Sequence, residues 1–343
     1  MKKKVAVLFG GKSTEHEVSR VSAASVLRNI NQDKYEVYPI GITKDGKWFE
    51  YTGNLDKIES GEWEKDVFYK TPEAHKILFN GEVDVVFPVL HGLYGEDGTI
   101  QGLCKLLNIP CVGPGVMSSS VCMDKVYTKY VLENFQIKQA DYVVVNRHDY
   151  KTNKDEIINI IESKLGYNIF IKPSNSGSSV GITKAHNKEE LIKGLEEALK
   201  YDRKVLVEEA INAREVEVAV LGNDEVKAAT PGEIIPDREF YDYDSKYKSV
   251  QSKLLIPANL NKNKLEQVRQ TAIKIYKILD CAGMARVDFL VDKSTEEVYL
   301  NELNTIPGFT QISMYPKMWE NEGEKYSELI SELIELAIER NNN

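Results

Sequence analysis

Two carboxylates, an amide and an arginine recur at two-residue spacing towards the end of this 343-residue chain. Ala285-Arg-Val-Asp-Phe-Leu-Val291 alternates apolar and polar residues, so an extended backbone puts Arg286 and Asp288 on one face. After a polar turn, Asp292 to Glu297, the segment Val298 to Asn304 alternates too, and Glu302 and Asn304 share a face. Paired as a hairpin, the strands gather Asp288, Glu302 and Asn304 as oxygen donors, with Arg286 alongside. Hard cations such as Mg2+ take such ligands. A buried carboxylate without compensation is expensive, so two on one apolar hairpin require a partner. A solvated hairpin face with an Arg–Asp pair has the same spacing and stays open. The turn Thr305-Ile-Pro-Gly-Phe-Thr310 then offers backbone N–H groups near the same end, which suit an oxyanion.

A second constellation is the loop Ser174-Asn-Ser-Gly-Ser178-Ser179, which follows a strand ending in Lys172-Pro173. Small residues let backbone N–H groups approach phosphate oxygens, and Lys172 supplies a point charge. An ordinary Ser/Gly-rich hairpin turn fits the same residues. Ala6 to Ser13 imitates a Walker A loop with Ala6 in place of the first glycine. Ala6 lies inside a strand pattern, where it cannot begin a phosphate loop, and G-x-G-x-x-G is absent.

Two polar loops stand at the carboxyl ends of expected strands, where open α/β sheets bind ligands. In Gly10-Gly-Lys-Ser-Thr-Glu15-His16-Glu17, Thr14 and Glu17 are expected to form a capping box, and His16 to be an exposed helix residue. Glu15 is left over, and its carboxylate could hold an ammonium group. His91-Gly-Leu-Tyr-Gly-Glu-Asp-Gly98 is a shaped, glycine-rich loop, in which His91 alone reads as structural.

The elements that must position these groups follow from periodicity. Val5–Phe9 reads as a buried strand, and Glu15–Asn29 as a helix with Val18, Val21, Ala24 and Leu27 on one face. Strands are expected at 36–42 and 83–90, giving a Rossmann-like parallel sheet over residues 1–120. A central block, 121–210, holds a helix over Met123–Phe135, strands at 142–145, 169–172 and 205–209, and a helix near 188–200. The remainder, 211–343, holds strands at 214–221 and 226–235, a polar tyrosine-rich loop at 237–250, a helix at 262–279, the acidic hairpin and a helix near 324–339.

Composition bounds the function. Hydrophobic residues are 42% and charged residues 28%, a soluble globular profile. A net charge of -9 argues against wholesale binding to nucleic acid or anionic membrane. No apolar run approaches the ~20 residues of a membrane span. The four cysteines lack C-x-x-C spacing and no secretory leader is expected, so they read as buried, reduced thiols of a cytoplasmic protein.

Together the motifs resemble the ATP-grasp superfamily, and within it the D-alanine–D-alanine ligase family. The resemblance spans nearly the whole chain, in order. It is carried by Gly10 to Ser19, His91 to Gly102, Met123-Asp-Lys125, Lys172 to Gly181, Tyr241 to Tyr247, Arg286-Val-Asp288 and Asn301 to Thr310. It implies an α/β ATP-grasp fold and an acyl phosphate made from a carboxylate and ATP. Lys125 and Lys172 would contact the phosphates, joined by Lys246 from a closing loop. Glu208 and the backbone at Ala210 and Ile211 would meet adenine, and Glu215 the ribose, with Ser178 and Asn301 also in the ATP site. Asp288, Glu302 and Asn304 would bind two Mg2+ or Mn2+ ions. Glu15 would hold the ammonium of the first D-alanine, with His91 nearby, and Ser313 the carboxylate of the second. Arg286 and the backbone at Gly308 would stabilise the tetrahedral species, while Glu15, Ser178 and Tyr247 form a hydrogen-bonded set near the incoming amine. Tyr247 favours an amine acceptor over a hydroxy acid, without separating D-alanine from D-serine. Met314 brings no charged group for a serine hydroxyl, which favours D-alanine. Glu209 departs from the Lys or Gln often found there. The resemblance also implies a homodimer serving peptidoglycan synthesis.

Overall fold

The computed structural model describes residues 1–235 and 253–342. Strand β1 (Lys3–Gly10) is fully buried from Val5 to Phe9, so it must be flanked on both sides. It runs parallel to β2 (Tyr35–Ile42) on one side and β4 (Val85–Pro88) on the other, and β3 (Trp48–Glu50) adds antiparallel to β2. The sheet order is β3-β2-β1-β4, the expected parallel sheet with one antiparallel edge. The helix His16–Asn29 follows β1 and buries Ala23, Ala24, Val26 and Leu27. Those side chains share one core with Leu329, Ile330, Leu333, Ile334 and Ala337 from the helix Tyr326–Asn342.

A separate antiparallel sheet has the order β5-β8-β6-β7, from β5 (Tyr142–Asn146), β6 (Ile169–Pro173), β7 (Thr183–Ala185) and β8 (Lys204–Glu209). Its core packs against the helices Lys154–Leu165 and Lys188–Tyr201. The second helix buries Leu191, Leu195, Ala198 and Leu199, one helical face, and Asn187 caps it by accepting from Glu190 N.

The third sheet centres on β9 (Ala213–Gly222), with β10 (Lys227–Ala228) and β11 (Gly232–Ile235) beyond it, then β12 (Lys253–Leu255), β13 (Gly283–Asp292) and β14 (Val298–Asn304). It is antiparallel throughout, ordered β12-β11-β9-β13-β14, with β10 paired to β9. Period two divides β9: Val216, Val218 and Val220 join the core under the helix Lys262–Ile278, while Ala219 and Leu221 join the core shared with β1. Glu215 and Glu217 continue the second row beyond that shared core. Arg286 and Asp288 do the same on β13, after Met284. The polar site thus occupies the stretch of sheet that the β1 core leaves uncovered.

Several local expectations are corrected. The helix expected over Met123–Phe135 forms as Lys125–Glu133, capped by Asp124, whose side chain accepts from Val126 N and Tyr127 N, and a separate, unexpected helix, Val116–Met123, precedes it. The capping box does not form: Glu15 occupies the cap position without a side-chain cap bond, and Glu17 pairs with Lys44. His16 is buried, its Nδ1 bonded to Gly11 O at 2.8 Å, rather than exposed. The strand expected at 226–235 is split into β10 and β11. Helices Lys154–Leu165 and Met314–Asn321 were outside the sequence reading. All four cysteines are buried and unbridged, and among the described residues no helix is long and apolar enough to cross a membrane.

Candidate active site

The hairpin of β13 and β14 forms with Arg286 opposite Asn304 and Asp288 opposite Glu302, the pairing that alternation requires. Strict alternation would also turn Leu300 towards the polar face. A register shift after Asp288 prevents this, since Phe289 faces Leu300 and Asn301 is the extra residue. Leu300 and Leu303 stay in the core, and Asn301 and Glu302 between them both turn to the site.

Arg286 grips Asp288 with two bonds, Nε to Oδ1 at 2.7 Å and Nη2 to Oδ2 at 2.6 Å, and its Nε lies 3.1 Å from Glu217 Oε2. Asn304 Nδ2 donates to Asp288 Oδ2 at 2.9 Å. Asp288 therefore lies behind Arg286, while Glu302 reaches forward to within 3.5 Å of Lys125 Nζ.

Two clefts meet at Glu302. The first gathers Glu15, His91, Lys125, Ser178, Arg286, Asn304, Gly308 and Ser313. The second, of about 840 Å³, gathers Lys172, Glu208, Ala210, Ile211, Glu215 and Asn301 between the β5–β8 sheet and the β9–β14 sheet. Apart from Asp288, every sequence-predicted site residue that is described lines one or both. Lys246, Tyr247 and the loop 237–250 lie outside the described residues.

In the first cleft, the Ser178 hydroxyl donates to Glu15 Oε1. Ser178 and Ser179 both adopt positive φ, 47° and 60°, a conformation L residues rarely take, which turns the loop over Glu15. A Cβ on Gly177 would stand 2.1 Å from Glu15 Oε2, so only glycine lets the loop come this close. In the turn after β14, Ile306 N donates to Glu96 Oε1, Phe309 N to Ser22 Oγ and Thr310 N to Ser313 Oγ. Those bonds fix the turn around Gly308.

His91 is held from both sides. Its Nδ1 donates to Ile306 O at 2.9 Å, which leaves Nε2 to accept from Ser22 Oγ at 2.9 Å. Burial lowers its pKa to about 4 from 6.5, so the ring is neutral at pH 7. The unfolded chain takes up this proton first as the pH drops, so stability is lost between about 6.5 and 4. At 1.36 kcal/mol per unit the loss is about 3 kcal/mol. Urea unfolding should show it as the difference between wild type and His91→Gln across that range, because Glu96, whose raised carboxyl titrates with the opposite sign, is common to both. A pH dependence unchanged in the variant would remove His91 as its source.

In the second cleft, Glu208 is clamped by two ammonium groups, Lys172 Nζ at 2.7 Å from Oε2 and Lys129 Nζ at 2.7 Å from Oε1. Burial alone would raise its pKa, but Lys172 and Lys129 outweigh burial and hold it at about 2. Burial depresses the Lys172 ammonium, and Glu208 more than reverses that, so its pKa stays above the usual value. Lys172 Nζ also reaches Asn301 Oδ1 at 3.3 Å, joining the lobes. Glu209, the departure noted above, ends β8 and lines this cleft too, and its Oε1 accepts from Asp141 N at 3.0 Å.

Sequence reasoning missed three groups here. Lys129 stands four residues after Lys125, on the same helical face. Glu96 accepts from Gly92 N at 2.8 Å as well as from Ile306 N, and burial together with nearby Glu15 pushes its carboxyl well above the usual range. Asp124 anchors the loop that begins at Ser174, accepting from Lys204 Nζ at 2.6 Å, Asn175 Nδ2 at 3.0 Å and Ser174 Oγ.

A serine- and glycine-rich loop and Lys172 on one antiparallel sheet, facing Asn301 and Glu302 on a second, together with a Rossmann-like sheet, are the arrangement of the ATP-grasp class. Residues 4–114 match the family model described as D-ala D-ala ligase N-terminus, and residues 131–335 match D-ala D-ala ligase C-terminus. The chain is 79% identical over 342 residues to D-alanine--D-alanine ligase of Clostridium novyi (strain NT), covering 100% of both chains. It is 75% identical over 342 residues to D-alanine--D-alanine ligase of Clostridium acetobutylicum, again covering 100% of both. Among solved structures it is similar to the VanG D-Ala:D-Ser ligase from Enterococcus faecalis, with TM-score 0.86 and 40% identity over 98% of this chain and 100% of that one. It is also similar to the D-alanine-D-alanine ligase from Coxiella burnetii, with TM-score 0.82 and 35% identity over 99% of this chain and 95% of that one. The chain belongs to the D-alanine–D-alanine ligase family.

Proposed function

We propose that this chain joins two D-alanines into D-alanyl-D-alanine, driven by ATP through a D-alanyl phosphate, and so supplies a peptidoglycan precursor. The observation that carries the reading is the meeting of the two clefts at Glu302. One has the lysines and depth for a nucleoside triphosphate, and the other has a buried anion opposite an arginine and a fixed turn. Glu15 holds the ammonium of the first D-alanine, and Ser178 keeps that carboxylate in place. The substrate carboxylate attacks the γ-phosphate and ADP leaves. The second D-alanine gives up an ammonium proton through the set of Glu15, Ser178 and Tyr247, and its amine attacks the resulting carbonyl. Arg286 and the Gly308 N–H face the oxyanion, and phosphate departs. Ser313 receives the second carboxylate.

Bringing a carboxylate to a triphosphate is electrostatically unfavourable. Two like charges ~4 Å apart repel by about 4 kcal/mol at an effective dielectric near 20. Lys125, Lys172 and Arg286 offset this, and Lys246 joins them in our reading. Asp288, Glu302 and Asn304 carry hard oxygen donors and would hold two Mg2+ or Mn2+ ions. Glu302 already faces the clefts, whereas Asp288 would first exchange its bonds to Arg286 and Asn304 for a metal. Among the described residues no three His, Cys, Asp or Glu converge as a metal cage, so triphosphate oxygens would complete the coordination. Such ions would supply positive charge at the transferring phosphoryl group. Glu208 and the Ala210–Ile211 backbone face adenine, Glu215 the ribose, and Asn301 the nucleotide beside Lys172.

We place the domain boundaries near residues 120 and 210, and read the protein as a cytoplasmic homodimer on family grounds. A second acceptor is worth testing because the VanG structure is titled a D-Ala:D-Ser ligase. Phosphate release from ATP should require D-alanine and Mg2+, with L-alanine inactive and mass spectrometry identifying D-alanyl-D-alanine. A panel of D-alanine, D-serine and D-lactate reads the acceptor. No phosphate with D-alanine sinks the function, and ATP binding without turnover makes the chain a nucleotide-binding regulator.

A further inference from the structure

We propose that Lys129 is a standing counter-ion for Glu208, a positioning residue that keeps this carboxylate turned to the nucleobase when the phosphates draw Lys172 away. The inference rests on the reading of the β5–β8 and β9–β14 cleft as the ATP site.

Glu208 has two ammonium partners at equal distance but with different access. Lys172 lines the cleft, sits between Glu208 and Asn301, and is the one that can turn to a phosphate. Lys129 does not line it. Its side chain is 4% exposed, its Nζ also donates to Ala140 O at 3.1 Å, and it stands 4.8 Å from the centre of the Tyr142 ring. Those contacts hold Lys129 where it is. A triphosphate carries several negative charges and outcompetes one carboxylate for Lys172. Without Lys129, Glu208 would then be a buried anion with no counter-charge, and it would take up a proton or swing out.

Either change alters recognition. An ionised carboxylate only accepts hydrogen bonds, so it favours a base with an exocyclic amine over one with a carbonyl oxygen at that position. A protonated Glu208 could donate, and the preference would shrink. The burial of Glu208 between two cations, with its pKa held at about 2, agrees with an acceptor-only group.

Binding of ADP and IDP to the full-length protein by calorimetry tests this. IDP carries oxygen where ADP carries the amine. Wild type should prefer ADP by about tenfold or more, and Lys129→Gln should lose about tenfold in ADP affinity, leaving a preference under about threefold. Lys129→Arg, which keeps the charge, should retain the preference. A purely structural role would weaken both nucleotides alike, and that result overturns the inference, as does an intact preference in Lys129→Gln. Wild type that binds neither nucleotide overturns the ATP cleft itself, and the inference with it. Should Lys129→Gln not fold, Glu208→Gln is compared with the double variant. With no carboxylate to hold, the two should bind ADP within about threefold, and a further tenfold loss in the double variant overturns the inference.

Discussion

Glu302→Gln lowers kcat for dipeptide formation by on the order of a thousandfold, with the melting temperature nearly unchanged. The substitution keeps shape and removes one charge. Stability has little at stake, because the Glu302 side chain is 23% exposed and its contact with Lys125 is 3.5 Å long. Catalysis has much at stake, because Glu302 lies where the two clefts meet and is the forward carboxylate of the proposed metal set. Pairing opposite Asp288, in alternation with Asn304, is what turns it there. Steady-state kinetics beside thermal unfolding separates the two effects. Activity within tenfold of wild type would remove the hairpin from the mechanism.

Glu15→Gln raises KM for the first D-alanine by on the order of a hundredfold or more, with KM for ATP little changed. Truncating one side of a buried charged pair costs about 2–5 kcal/mol, the range that matters for an ammonium on this carboxylate. Glu15 is 6% exposed and accepts from the Ser178 hydroxyl. Glu96 sharpens the effect. Burial, with Glu15 nearby, keeps the Glu96 carboxyl protonated over more of the pH range, so Glu96 does not stand in for the lost charge. A variant whose D-alanine KM is unmoved while its ATP KM rises would place Glu15 in the nucleotide site.

Alternation along 285–291 and 298–304 made Arg286, Asp288, Glu302 and Asn304 legible as one cluster, since period two depends only on local backbone. The bulge at Asn301 was not legible, because it exists only relative to the partner strand. Val5–Phe9 as a central strand was legible from its unbroken apolar run. His16 and Glu17 were misread because a cap is decided by neighbours: Glu15 took the cap position and Lys44 took Glu17. Lys129 looks like any helical lysine until β8 brings Glu208 against it. Its spacing from Lys125 was the available signal. Glu96 was visible only as an acid in a glycine-rich loop, and its bonds to Gly92 and Ile306 need the folded turn.

The core shared by β1 and the helix Tyr326–Asn342 bears on how the chain matures. Tyr35 OH donates to Glu335 Oε1 at 3.0 Å, Lys3 Nζ to Glu335 Oε2 at 2.6 Å, and Tyr326 OH to Ser25 Oγ at 3.3 Å. The helix His16–Asn29 covers part of this side of the sheet early, and the core is complete only once residues 326–342 have left the ribosome. A chimera that takes its first sheet from a relative must take the matching helix as well, or the two halves will meet as strangers.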